Sequence, residues 1–411
     1  MPSEPQPARV SFLGLPAELR NEVYRHLLLA RRTKRHFGLG FASYNLHVTI
    51  LRTNQQIHNE ALKVFHENRF IRIITPWTSF KKDVLIQGKF PLIAEEKASF
   101  CELWHMKMVL DFRGDVDEDV FHNYITCLED LPSLCKLLFY ASCQFRDFSS
   151  LLHITLHIKD PNSDDDESSN PQALQEALVM PFAILKGLGA FAVRGLDSES
   201  VQKKVKKEMK KPNPTAGDYL ETAAKLKDKG NAAFKEGQYR LSIRRYIKAY
   251  EAMHFIVDGK RFAIMLDGYF VITPLVGGRF DGQRGDLIRH QLGSQLSWNI
   301  IQAYLKLEEY QEAYMWAERA ISDIEHADVQ QVIADGTPNL VTKADKAKVY
   351  WRMVLACKGL GLEQAMLAPL MKAGAYASND KLIQKELGVV EKRLEDGDLV
   401  VDLEALKNFS L

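Results

Sequence analysis

The chain carries two kinds of apolar rhythm. In its last two hundred residues small and apolar side chains recur every three or four positions, which predicts helices packed along one face. Over 225–252 the positions are Leu226, Gly230, Ala233, Phe234, Tyr239, Ile243, Tyr246 and Ala249, with Gly237 breaking the pattern between two helices. Over 297–321 they are Tyr304, Leu307, Tyr310, Ala313, Ala317 and Ala320. The two stretches align, and each predicts a pair of helices joined by a tight turn. A weaker third copy runs from about Lys348 through Ala365 to Tyr376, and an amphipathic helix from Lys381 to Leu394 is placed to cover the end of the stack. Three repeats and a cap are enough to bury a continuous core.

The first two hundred residues read differently. Pro16 opens a helix, PAELRNEVYRHLL, with Leu19, Val23, Tyr24 and Leu27 on one face. A second helix is predicted over 53–67 from Ile57, Ala61, Leu62 and Phe65. YNLHVTIL, FIRIIT, MKMVLDF, LLHITLHI and AFAVRGL alternate, or are rich in β-branched residues, as short strands are. The predicted organisation is a disordered 1–9, a mixed α/β domain over 10–208, a linker over 209–216, a helical-repeat domain over 217–396 and a tail over 397–411. The fold class is α+β overall. The Lys-rich run 202–214 reads as a solvated helix ending before Pro212.

Departures from regularity are visible too. His254 and Glu325 stand where such repeats close with proline, and inserts follow at 255–289 and 326–342. In the first insert the β-branched and aromatic residues of RFAIMLDGYFVITPLVGGRFDGQRG, 261–285, predict a hairpin; its glycines Gly277, Gly278, Gly282 and Gly285 lack the Lys-Ser/Thr of a phosphate loop and read as a turn. Pro369 falls inside the second helix of the third copy, where it is expected to kink or shorten it.

Composition narrows the function. In 411 residues the formal net charge is +1, so no global field recruits nucleic acid or a membrane, and neither is expected as a partner. The five cysteines include no CxxC pair and read as core thiols of a reducing compartment. The expected setting is cytoplasmic, with the lysine run as a weak nuclear address. No HExxH, GxSxG, P-loop or dinucleotide motif occurs, so neither a cofactor, a metal nor catalysis is expected. His153 and His157 share a face of one strand but lack further ligands. An enzyme hosted by the N-terminal α/β domain stands as a remote alternative. The acidic stretch 159–172 reads as an exposed loop.

One polar set recurs in register. Lys227 and Asn231, and Lys348 and Arg352, are each four residues apart and hence on one helix face; Asn299 stands in the first helix of the second copy. If the first helices line the concave side, these donors converge on one anionic group. Arg grips a carboxylate bidentately, Lys adds a mobile charge, and Asn amides orient it. The repeats resemble the tetratricopeptide repeat (TPR), and LKDKGNAAFKEGQY is similar to the first repeat of chaperone cofactors such as Hop and the large immunophilins. That resemblance implies an all-α superhelix whose two-carboxylate clamp grips the C-terminal peptide of Hsp70 or Hsp90, with Lys227, Asn231, Asn299, Lys348 and Arg352 as its members. The pairing of FLGLPAELRNEVYRHLL with ILRTNQQIHNEALKVFHENRF, within the first 75 residues, resembles the F-box-like domain of fungal proteins. It implies an adaptor for a Skp1-containing ubiquitin ligase, with Leu15, Pro16, Leu19, Val23, Tyr24 and Leu27 as the contact candidates.

Overall fold

In a computed structural model of the chain, residues 11–32, 44–86, 88, 90–95, 97–112, 121–145, 147–162, 170–258, 261–271, 274–333 and 341–397 are described. The acidic residues 163–169, residues 334–340 of the second insert and the 398–411 tail lie outside them. The chain divides into two compact units, Met1–Asn213 and Pro214–Leu411.

The first unit opens with a helical hairpin, α1 (Ala17–Leu28) and α2 (Gln55–Phe65). Tyr24 and Leu28 from α1 meet Ile57, Ala61 and Val64 from α2 in a small core. A polar staple fixes their register. The Arg20 guanidinium grips Glu60 at 2.8 and 2.6 Å, and the Tyr24 hydroxyl donates to the same carboxylate at 2.9 Å. Below it Asn68, itself buried, takes the Ala30 N–H and donates to the carbonyls of Leu28 and Phe65, each at 2.8 Å.

A five-stranded sheet follows, built from β1 (Phe70–Thr75), β2 (Met106–Phe112), β3 (His122–Cys127), β4 (Leu152–Ile158) and β5 (Ala190–Arg194) in the order β3-β1-β2-β4-β5. β1 pairs parallel with β2 and β4 parallel with β5; the other two pairings are antiparallel. Met106, Met108 and Leu110 alternate inward with Leu152, Ile154, Leu156 and Ile158. Helices α3 (Leu131–Gln144), α4 (Gln172–Val179) and α5 (Glu199–Met209) complete this unit. Four predicted strands form where expected. YNLHVTIL does not: only Tyr44–Asn45 is extended, and Val48–Arg52 coils into a 3-10 turn. Among the described residues the only strand opposite it, Arg31–Arg32, pairs with Tyr44–Asn45 alone, so β propensity does not extend the rest.

The second unit is a stack of helical hairpins: α6 (Ala216–Lys235) with α7 (Tyr239–Ala252), α8 (Gly285–Lys306) with α9 (Tyr310–Ile333), and α10 (Lys343–Leu360) with α11 (Glu363–Tyr376), followed by α12 (Lys381–Glu395). Thr215 caps α6 and Thr342 caps α10, each hydroxyl accepting the N–H of an Asp three residues on. The turns inside the three hairpins use a left-handed residue: Gly237, Glu308 and Gly361. Gly230 is buried because the Tyr246 ring lies on it; a Cβ there would stand 2.4 Å from a ring carbon. Gly359 meets Tyr310 in the same way.

The first insert forms a hairpin earlier than the predicted 261–285, β6 (Phe255–Asp258) with β7 (Arg261–Ile264), and Asp267–Val271 is helical where strand was expected. Arg289 anchors it: its guanidinium lies 4.5 Å from both the Phe255 and Phe270 rings and donates to the carbonyls of Met253 and Met265. Pro369 does not shorten α11, which runs its full length to Tyr376 with Leu367, Leu370 and Ala373 buried. Tertiary packing outweighs the single backbone donor that proline removes. α12 closes the stack through Ile383 and Val390.

Candidate functional site

α6, α8 and α10, the first helices of the three hairpins, carry all five residues singled out above. The structure brings four of them onto one seam. Asn231 is the centre: its Oδ1 accepts from the Tyr246 hydroxyl at 2.9 Å and from Asn299 Nδ2 at 3.0 Å, which joins α6 to α8. One turn back along α6, the Lys227 ammonium donates to Gln295 Oε1 on α8. From the other side, Arg352 on α10 donates to the Trp298 carbonyl at 2.9 Å and to Gln302 Oε1 at 3.1 Å. α8 is therefore clasped from both sides along one face: Gln295, Asn299 and Gln302.

Both cations are half-buried and bonded to neutral acceptors. Burial holds the Lys227 ammonium below its ordinary value; Asp228 opposes the shift and Arg279 adds to it. Burial likewise lowers Arg352, with Asp345 opposing. A desolvated cation held only by uncharged oxygens gains from an arriving anion, because it is no longer fully solvated by water. Tyr246 is pushed up to about 12 by burial, so it stays a neutral donor and keeps Asn231 oriented.

Lys348 does not join the seam. Its side chain is 63% exposed and pairs with Asp345 at 3.4 Å, three residues back on the same helix. An exposed i,i+3 pair of this kind is weak and breakable.

Beyond Arg352 the same helix faces open into a cleft of about 510 Å³ lined by Leu305, Tyr310, Trp351, Leu355 and, from α12, Leu382. Leu305 lies three residues on from Gln302 and Leu355 three on from Arg352. The Lys358–Glu386 pair, 2.7 Å, closes one side. At the Lys227 end, the first insert reaches α6: Arg279 pairs with Glu221 and with Asp228, at 3.7 and 3.3 Å.

Sequence reasoning missed Gln295, Gln302, Tyr246 and Arg279. Two glutamines on a helix carry no signal, and Arg279 lies in an insert that has no repeat register. Tyr246 occupies an apolar position of the repeat pattern, yet its hydroxyl orients Asn231.

In the first unit, the helix α1 residues divide. Tyr24 is fully buried and engaged with Glu60, so it is a core residue and not a surface contact. Leu15 and Leu27 are half-buried, Pro16 is exposed, and Leu19 and Val23 are exposed at 53% and 36%. No helix among the described residues is long and apolar enough to cross a membrane.

Compared with protein-family models, the chain matches none. Among solved structures it is similar to the C-terminal TPR-containing domain of an FK506-binding protein of Plasmodium falciparum, at 15% identity and a TM-score of 0.30, over 45% of this chain and 96% of that one.

Proposed function

We propose that the C-terminal unit is a protein-interaction module whose α6–α8–α10 seam receives the C-terminal carboxylate of an acidic peptide, of the kind borne by Hsp70 and Hsp90. One observation carries the reading: Lys227 and Arg352 flank the Asn231–Asn299 amide pair on one seam, both desolvated and both held by neutral oxygens alone. A carboxylate arriving between them exchanges neutral acceptors for charged ones. Lys348, released from Asp345, swings in as a third cation. The cleft beside Leu355 and Leu382 offers room for an apolar side chain upstream of the terminus.

Hydrogen bonds to charged groups contribute about 1.5–3 kcal/mol each, so two or three of them with modest apolar contact reach micromolar affinity, about 8 kcal/mol. Fluorescence anisotropy with a labelled peptide ending Glu-Glu-Val-Asp, and with its C-terminal amide, tests this. The free acid is expected to bind at micromolar concentration, the amide much more weakly, and Arg352→Ala to weaken the acid about 10- to 100-fold. Equal binding of acid and amide refutes the reading.

A second reading rests on the exposed apolar face of α1. Leu19 and Val23, four residues apart on α1 and exposed at 53% and 36%, form a face suited to a Skp1-type adaptor contact. Co-purification of the full chain with Skp1, abolished by Leu19→Asp with Val23→Asp, is the expected result; recovery of the double variant with Skp1 removes this reading.

A further inference from the structure

The sheet of the first unit has one face that is only half covered. Over β3 and β1 it is closed by the segment that carries Ile93, Ala98 and Leu103, which packs on Phe70 and Ile125. Over β2, β4 and β5 no such segment closes it among the described residues: Lys107, Val109, Thr155 and His157 are half-buried and Ala190, Ala192 and Arg194 exposed, and the ladder sorts these side chains into rows. Lys107 pairs with His157 and His157 with Arg194, so these three stand side by side across three strands, about 4.8 Å apart. The next row is Val109, Thr155 and Ala192; the one after is Asp111, His153 and Ala190.

The first row concentrates positive charge. Lys159, two residues beyond His157, holds its ammonium 4.2 Å from the Trp104 ring centre, and Lys107 holds its own at 5.4 Å from the same ring. Trp104, 8% exposed, has an indole N–H without an acceptor among the described residues. Lys107, Lys159 and Arg194 form no ion pair among the described residues, whereas Arg72, next in line on β1, is taken by Asn123 and Glu102. Burial, with the Lys107 and Arg194 charges adding to it, keeps the His157 imidazole below its ordinary pKa.

Charge complementarity selects the ligand. A lone carboxylate neutralises one of three full positive charges; a phosphomonoester brings about 1.5–2 negative charges and three acceptor oxygens to one spot. A polyanion such as single-stranded nucleic acid fits badly. Its further phosphates would run toward the exposed Asp111, and the Trp104 ring is occupied by two ammoniums and closed to base stacking. Val109, Thr155 and Ala192 supply a shallow, uncharged floor for the residues flanking a single phosphate.

We propose that this end of the sheet is a docking surface for a protein segment carrying one phosphorylated residue, its phosphate seated over His157 between Lys107 and Arg194. Lys159 closes the site from the Trp104 side. Arg194 supplies the bidentate fork and the two lysines supply point charge. This site is independent of the carboxylate seam in the second unit.

The test uses the full chain and a labelled peptide with one phosphoserine flanked by Val and Thr, beside its unphosphorylated form, a short oligothymidylate and inorganic phosphate as competitor. Anisotropy is expected to show salt-sensitive binding of the phosphopeptide alone, displaced by inorganic phosphate. NMR of the His157 imidazole, assigned with His157→Gln, is expected to shift and to titrate at higher pH when the site is filled. Arg194→Glu is expected to weaken binding about tenfold or more, and Asp111→Asn to leave it equal or tighter. Lys107→Ala is the second variant, and thermal melting checks that each folds. Absent binding, equal binding of the unphosphorylated peptide, an unmoved His157 resonance, an unaffected Arg194→Glu variant or tighter binding of oligothymidylate each overturns the proposal.

Discussion

Asn231 and Tyr246 form the joint on which the seam turns, and their coupling is measurable. The Tyr246 ring is 1% exposed and its hydroxyl donates to Asn231 Oδ1 at 2.9 Å. Tyr246→Phe deletes one neutral hydrogen bond, worth about 0.5–1.5 kcal/mol, and leaves Asn231 still paired with Asn299. Asn231→Ala does more harm, because it strands a buried hydroxyl, at about 1–3 kcal/mol. In the double variant no hydroxyl remains to strand. Its loss is therefore smaller than the sum of the singles by about 1 kcal/mol, roughly 2–4 °C in Tm for a unit of this size. Urea denaturation of the four proteins, followed by far-UV circular dichroism, closes the cycle. Asn231→Asp adds the functional arm: its oxygen still accepts from Tyr246 and Asn299, and Lys227 one turn away tolerates the charge, so stability is kept. Binding of an acidic tail is expected to fall about tenfold or more through charge repulsion. Additive single-variant losses, or Asn231→Asp binding the tail as the parent does, would refute the assigned geometry.

Further outcomes follow from other parts of the molecule. The Arg20 guanidinium, with Gln56 and Tyr24, holds the Glu60 carboxyl down at about 2. Its contribution is present above the ordinary carboxylate range and is lost as pH falls from about 4.3 toward 2. Acid titration of the parent and of Glu60→Gln, monitored by circular dichroism, is expected to show a shallower stability loss over that window in the variant. Glu308→Gly relieves a left-handed turn, φ 58°, at the place where the other hairpins have glycine, and is expected to raise stability by about 1 kcal/mol in thermal melts. Gly230→Ala, although alanine favours helix by about 1 kcal/mol, is expected to lower Tm because its Cβ collides with the Tyr246 ring. Arg289→Met removes two bonds to carbonyls and is expected to expose the 255–289 insert to limited proteolysis before global unfolding.

Much of the second unit was legible because local signals agree there. Gly237 and Gly361 mark real left-handed turns, Gly230 marks a real close approach, and the four-residue spacing of Lys227 with Asn231 places both on the face that meets α8. What spacing could not show is where side chains stop. Lys348 and Arg352 share a spacing and a face, yet Arg352 is drawn onto the Trp298 carbonyl and Lys348 stays with Asp345. In the first unit, α3 buries eight side chains, including Leu131, Leu134, Leu138 and Tyr140, and so lacks the polar face that makes a helix periodic. β3 escaped notice because HNYITC is short and its pairing partner, β1, is some fifty residues away along the chain. Tyr24 was placed on a contact face because its ring follows the apolar stripe; only the structure reveals Glu60 as its partner.

The sheet order β3-β1-β2-β4-β5 carries a consequence for biogenesis. Every ladder in it joins segments separated by tens of residues, while the helical hairpins of the second unit close across turns of a few. Non-local pairing is slow and local pairing fast, so translation delivers the slow half first. Until β5 leaves the ribosome, β4 has an unpaired edge of backbone N–H and C=O groups, open to pairing with another chain throughout that interval.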